Sequence, residues 1–116
     1  MHLRALLILA GAAAFLVACG SSTSTANSCG NSGANANVNT TSSNQFSPAS
    51  TTINHGESVC WQGANAVTHT VTDSGGAFDV NLPPNQIFIH TYPTAGTFPY
   101  YCKIHTPGMI GTVTVK

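Results

Sequence analysis

The stretch Thr97-Phe98-Pro99-Tyr100-Tyr101-Cys102-Lys103-Ile104-His105-Thr106-Pro107-Gly108-Met109-Ile110-Gly111-Thr112-Val113-Thr114-Val115-Lys116 reads as strand, loop, strand. Side chains alternate along a strand, so Phe98, Tyr100 and Cys102 share one face and Tyr101 takes the other. In the closing run Val113 and Val115 point inward, with Thr112 and Thr114 outward. Between the two runs the loop carries a thiol, an imidazole and a thioether, at Cys102, His105 and Met109. Two imidazoles and a thiolate in a plane, with a weak axial thioether, suit copper in an electron-transfer role. This loop supplies one imidazole, so a second histidine has to come from elsewhere in the chain.

Other readings of the loop are weaker. Cys102 as an inert buried thiol is common behaviour for a free cysteine. A nucleophile activated by His105 lacks any nearby Ser, Asp or Glu to orient the base. Zinc takes Cys, His and carboxylate ligands and has no use for a thioether, whereas Met109 is the one methionine besides Met1.

Upstream the chain is a succession of short alternating runs separated by turns. Ala36–Thr40 alternates weakly, with Ala36 and Val38 on one side, as a first edge strand, and Phe46 and Pro48 form an apolar anchor in a turn. Thr51-Thr52-Ile53 reads as a strand and His55-Gly56 as the turn after it. Ser58-Val59-Cys60-Trp61-Gln62 puts Val59 and Trp61 on one face and Cys60 on the other. After a loop at Gly63–Asn65, Val67-Thr68-His69-Thr70-Val71-Thr72 places Val67, His69 and Val71 inward and three threonines outward. Asp73-Ser74-Gly75-Gly76 is a turn. Phe78–Pro84 reads as irregular because Pro83-Pro84 removes ladder donors. Ile87–Tyr92 is a further strand, with His90 on the side opposite Ile87 and Ile89. Roughly seven short strands without a helix-period segment predict an all-β fold, an antiparallel β-sandwich. By this parity His69 and Cys102 both point between the sheets, which makes His69 the missing imidazole.

With these residues in view, the region 36–116 resembles a cupredoxin of the plastocyanin type. The resemblance rests on Phe46-Ser47-Pro48, on Gly56 to Trp61, on His69 to Thr72, and most specifically on Gly96 to Val115. It implies a Greek-key, cupredoxin-like sandwich and one type 1 copper ion held by His69, Cys102, His105 and Met109. It further implies one-electron transfer between protein redox partners, by a monomer that is not an enzyme. His105 to Met109 is one residue shorter than is typical of plastocyanins, so a reduction potential does not carry over. Thr70 also stands where plastocyanins commonly have Asn, which leaves open how the side chain after His69 supports the site. His55 and His90 are expected at the surface and Trp61 in the core. Tyr101, outward beside Cys102, is either a relay for electrons or simply an exposed strand tyrosine.

The N-terminus carries an address. Met1-His2-Leu3-Arg4 is a short positive segment, and Ala5 to Val17 is apolar but short for a bilayer span, as in a secretory leader. Leu16-Val17-Ala18-Cys19 resembles a bacterial lipobox, which implies cleavage before Cys19 and lipid on its sulfur; an ordinary signal peptide cut within Cys19–Ala26 is the alternative. Residues 1–18 are thus expected to be a lipoprotein signal peptide and residues 19–35 a Ser/Thr/Asn-rich flexible tether that joins the membrane anchor to the domain at 36–116. The protein is expected at the periplasmic or cell-surface side of a membrane. Cys29 and Cys60 remain, in a compartment where disulfides persist. Cys60 points away from the core on its strand, and a bond to Cys29 is expected, pinning the tether.

Composition narrows the function further. Three Lys plus Arg against three Asp plus Glu give a net charge of zero and no basic patch for nucleic acid. A copper delivery or storage protein is the alternative to an electron carrier, but it would be supported by Met-rich or His-rich tracts that the chain lacks. An adhesive or structural sandwich would leave Cys102 and Met109 without purpose, and a two-copper centre would want a second loop cysteine.

Overall fold

The computed structural model describes residues 28–116. The leader, Cys19 and the tether as far as residue 27 lie outside the described residues. Among the described residues nine strands form two sheets. One sheet has the order β2 (Phe46–Ser47), β1 (Ala36–Thr40), β4 (Ser58–Gln62), β7 (Ile87–Thr91). The other has the order β3 (Ser50–Ile53), β9 (Ile110–Val115), β8 (Gly96–Tyr101), β5 (His69–Asp73), β6 (Asp79–Leu82). Most pairs are antiparallel, but each sheet also holds one parallel pair, β1 with β4 and β3 with β9, so the sheets are mixed. Crossing between sheets brings together strands that are not neighbours in sequence, and no local pattern records that.

Alternation builds the core. Val38, Val59, Trp61, Val71 and Val113 are fully buried between the sheets, with Leu82 and Tyr100 beside them. Trp61 meets the edge of Tyr100 across the sandwich at 5.2 Å between ring centres, coupling the two sheets, and stacks on Phe88 of its own sheet at 5.7 Å. Phe46 closes on the other side of Tyr100, at 4.8 Å.

Several expectations change here. The strand β1 is interior, flanked by β2 and β4, rather than an edge. Val67 is 45% exposed and precedes β5, which begins at His69 itself. The threonine side of β5 is buried too, because the hydroxyls of Thr70 and Thr72 bond each other and Thr72 reaches Asp79. Asp79–Leu82 is the regular edge strand β6, and Pro83-Pro84 ends it instead of preventing it. On β7 the parity is the reverse of that expected. Ile89 is 42% exposed, while His90 is half-buried, with Phe78 and Tyr92 each 4.7 Å away. The rings of Phe88, His90 and Tyr92 continue the aromatic core, and covering them outweighs covering two isoleucines. Desolvation there holds the His90 imidazole below its ordinary pKa, favouring the neutral ring.

Cys29 and Cys60 are joined in a disulfide, with Cα atoms 5.6 Å apart. Cys60 faces away from Trp61, yet it is fully buried, because the short 3-10 turn Cys29–Asn31 covers it. Ser58 and Asn35 add reciprocal hydrogen bonds, Asn35 N–H to Ser58 O and Ser58 N–H to Asn35 Oδ1. Residues 28–35, placed in the tether by composition, are therefore docked on the domain.

Candidate metal centre

The site forms where the β5–β8 ladder stops. These strands pair at Thr72 with Tyr101 and at Asp73 with Tyr100, and no further. Beyond that point side chains take over the ladder's donors. Thr70 N–H donates to Cys102 Sγ at 3.3 Å, and Lys103 N–H donates to Thr70 Oγ1 at 2.8 Å. The strands thus stay joined while the sulfur gains a fixed hydrogen-bond donor. Thr70 does this with its backbone N–H and hydroxyl, which settles how the position after His69 supports the site.

The following loop is closed by its own backbone. Met109 N–H donates to His105 O at 3.1 Å, and Cys102 N–H donates to Met109 O at 3.0 Å. Cys102, His105 and Met109 therefore sit on one rigid hoop, with Cys102 and Met109 fully buried and His105 half-exposed. His69 enters from the start of β5 and is fully buried. Its imidazole pKa is lowered, first by burial and then by the neighbouring His105.

His69 Nδ1 and His105 Nδ1 lie 3.1 Å apart, and Cys102 Sγ lies 3.6 Å from His105 Nδ1 and 3.9 Å from His69 Nδ1. The circle through these three atoms has a radius of about 2.1 Å, close to metal–imidazole (about 2.0–2.1 Å) and metal–thiolate (about 2.3 Å) bond lengths. Three ligand atoms lying at bonding distance from one common point can hold a metal ion. Among the described residues they are the group of His, Cys and acidic side chains so placed. Two imidazoles, a thiolate and a buried thioether on the same hoop fit copper and not zinc. His55 is exposed at the domain's edge, its Nδ1 3.1 Å from Lys116 O, and His90 lies in the aromatic core; neither joins the site.

Sequence reasoning missed two residues that support His69. Asn65 Oδ1 accepts from His69 Nε2 at 3.0 Å, and Thr40 Oγ1 donates to the same oxygen at 2.7 Å. The loop holding Asn65 starts at Gly63, where a Cβ would lie 2.2 Å from Pro83 O. Only glycine allows that approach, which is secured by Gly63 N–H to Gln86 O and Asn85 N–H to Gly63 O. The available signal was an amide four residues before the histidine, in a loop rich in small residues.

No protein-family model matches the chain. A plastocyanin from Scenedesmus fuscus is 32% identical over 84 residues, an alignment covering 61% of this chain and 86% of that protein. Among solved structures, a purple cupredoxin from Nitrosopumilus maritimus superposes with a TM-score of 0.62 at 26% identity, over 70% of this chain and 99% of that one. An amicyanin mutant in its reduced state gives a TM-score of 0.62, also at 26% identity, over 72% of this chain and 83% of that one.

Proposed function

The chain belongs to the cupredoxin family as a type 1 copper electron-transfer protein, and from that premise we propose that it is a lipid-anchored one-electron carrier of a bacterial cell envelope. His69, Cys102, His105 and Met109 would hold the copper. The observation that carries this reading is the triangle of His69, His105 and Cys102 donor atoms, already at bonding distance from a common centre. Bound copper supplies a metal that cycles between two oxidation states by one electron.

The residues do the rest. Fixed by Thr70 N–H and the Met109 carbonyl, Cys102 has no freedom to rearrange when charge changes at the site. A rigid donor set keeps reorganisation small, which suits electron transfer and opposes the ligand exchange that delivery would require. Burial of His69, Cys102 and Met109 screens the site on three sides, which supports the reading as a carrier. The half-exposed edge of His105 is the route in and out, at a tip formed by Thr106, Pro107 and Gly108. Ile104 and Ile110, 55% and 59% exposed, make the surroundings apolar. Docking of a redox partner protein should therefore depend weakly on ionic strength. Leu16 to Cys19 supports the anchor, and the pinned Cys29 leaves about ten residues between lipid and domain.

The test is to load the domain with copper and replace Cys102 by serine. The parent protein should show an intense visible charge-transfer band, and Cys102→Ser should stay folded without it. Retention of the band in Cys102→Ser would rule out the thiolate assignment.

A further inference from the structure

We propose that Asn65 and Thr40 act together as a positioning clamp that holds His69 in the single tautomer able to bind metal through Nδ1. The proposal rests on the copper-site reading above, and it concerns residues outside the ligand set. Its argument follows one chain of donors and acceptors. Ala64 N–H, a group with no choice of role, donates to Thr40 Oγ1 at 3.1 Å. That hydroxyl has its own proton free, and it lies 2.7 Å from Asn65 Oδ1, an atom that can only accept. The same oxygen lies 3.0 Å from His69 Nε2. Two acceptors cannot share a hydrogen bond, so Nε2 carries the proton. In a neutral imidazole the lone pair then sits on Nδ1, which is the atom facing Cys102 and His105.

Position in the fold makes this a clamp and not an incidental contact. Thr40 is the last residue of β1, in one sheet, whereas His69 opens β5 in the other. Thr40 is 3% exposed and His69 fully buried, so water competes poorly for these bonds. The link therefore ties the imidazole to the opposite sheet, and it holds the ring plane as well as the proton. His105 has no such restraint. No hydrogen bond to its Nε2 is formed among the described residues, and its Nδ1 lies 3.1 Å from that of His69. With His69 fixed as the acceptor at that contact, His105 supplies the proton in the metal-free protein. It is then the histidine that must change tautomer to bind metal, while His69 is preset.

Partners of metal-bound histidines typically change metal affinity by about 10–100-fold when removed. The experiment uses the full domain and reads two quantities. The first is the tautomer of His69, from side-chain nitrogen-15 shifts in the metal-free protein. The second is copper affinity by competition with a chelator of known strength. His69 should be almost wholly protonated on Nε2 in the parent. Asn65→Ala should give a mixture of tautomers and about tenfold to hundredfold weaker copper binding. Thr40→Val, which leaves Asn65 in place but unanchored, should fall between parent and Asn65→Ala, and Asn65→Asp, which keeps an acceptor, should restore the single tautomer. A parent protein with the Nε2 proton but no copper colour would refute the copper reading and leave the clamp standing. A coloured protein in which Asn65→Ala changes neither tautomer nor affinity would overturn the clamp.

Discussion

Replacing both Cys29 and Cys60 by alanine opens a covalent ring whose ends are 31 residues apart in sequence. In the chain-entropy description a ring of that size restricts the unfolded chain enough to stabilise the fold by about 3–4 kcal/mol. A domain of this size has a total stability of about 5–15 kcal/mol, so the loss is a large fraction of it, yet compatible with folding. At roughly 4–8 °C per kcal/mol, the melting temperature should fall by roughly 12–32 °C. Alanine is the right replacement because both cysteines are buried, and serine would leave a hydroxyl there without a designed partner. The folded state loses little else. Asn35 and Ser58 keep their reciprocal bonds, and Cys29 N–H still has Gln62 Oε1 at 3.1 Å. Because Cys60 lies on the face of β4 opposite Trp61, the metal site should be untouched. The assay is thermal unfolding by circular dichroism on the metal-free domain, with the visible spectrum of the copper-loaded variant as control. A fall of less than about 5 °C would refute the entropic argument. Loss of the copper spectrum in a folded variant would refute the claimed independence of staple and site.

Other predictions follow from single contacts. Gly111→Ala would place a methyl 2.2 Å from the Tyr100 ring, and overpacking of this kind should cost about 1–3 kcal/mol or more, read from the urea midpoint. A charged residue at Pro107 should slow electron exchange with a partner while leaving the spectrum alone, and Tyr101→Leu should do much less, although a groove of about 330 Å³ runs beside Tyr101; stopped-flow reduction by a partner protein would show the reverse order if electrons leave through the flank. The Asp79 carboxyl is held below its usual pKa, first by the hydrogen bond from Lys103 and then by that from Thr72. A depressed carboxylate pKa adds stability above the unfolded value, lost as pH falls through the folded one. The stability difference between the parent and Asp79→Asn should therefore be present at neutral pH and vanish below the ordinary carboxylate range, as denaturant midpoints across pH would show.

The parts of this site that were legible in the sequence are those encoded locally. Cys102, His105 and Met109 lie within one loop, so their spacing alone indicates a metal-binding hoop. His69 was found by strand parity, although the argument leaned on Val67, which proves to be exposed and outside β5. The clamp was not legible, because Thr40 and Asn65 are 25 residues apart and meet only after the sheets stack. The same holds for the parallel pairs β1–β4 and β3–β9, which depend on where the chain crosses between sheets. His90 was misplaced for a different reason. Parity sets which residues share a face, but not which face is buried, and Phe88, His90 and Tyr92 extend an aromatic core begun by Trp61 and Phe78.

A spectroelectrochemical titration of the copper-loaded domain tests the central claim most directly. It follows the visible band while the applied potential is stepped. The account predicts a band that bleaches completely and reversibly, with a slope of about 59 mV per tenfold change in the ratio of oxidised to reduced protein, the value for one electron. A slope near 30 mV, or a band that the electrode cannot bleach reversibly, would contradict it.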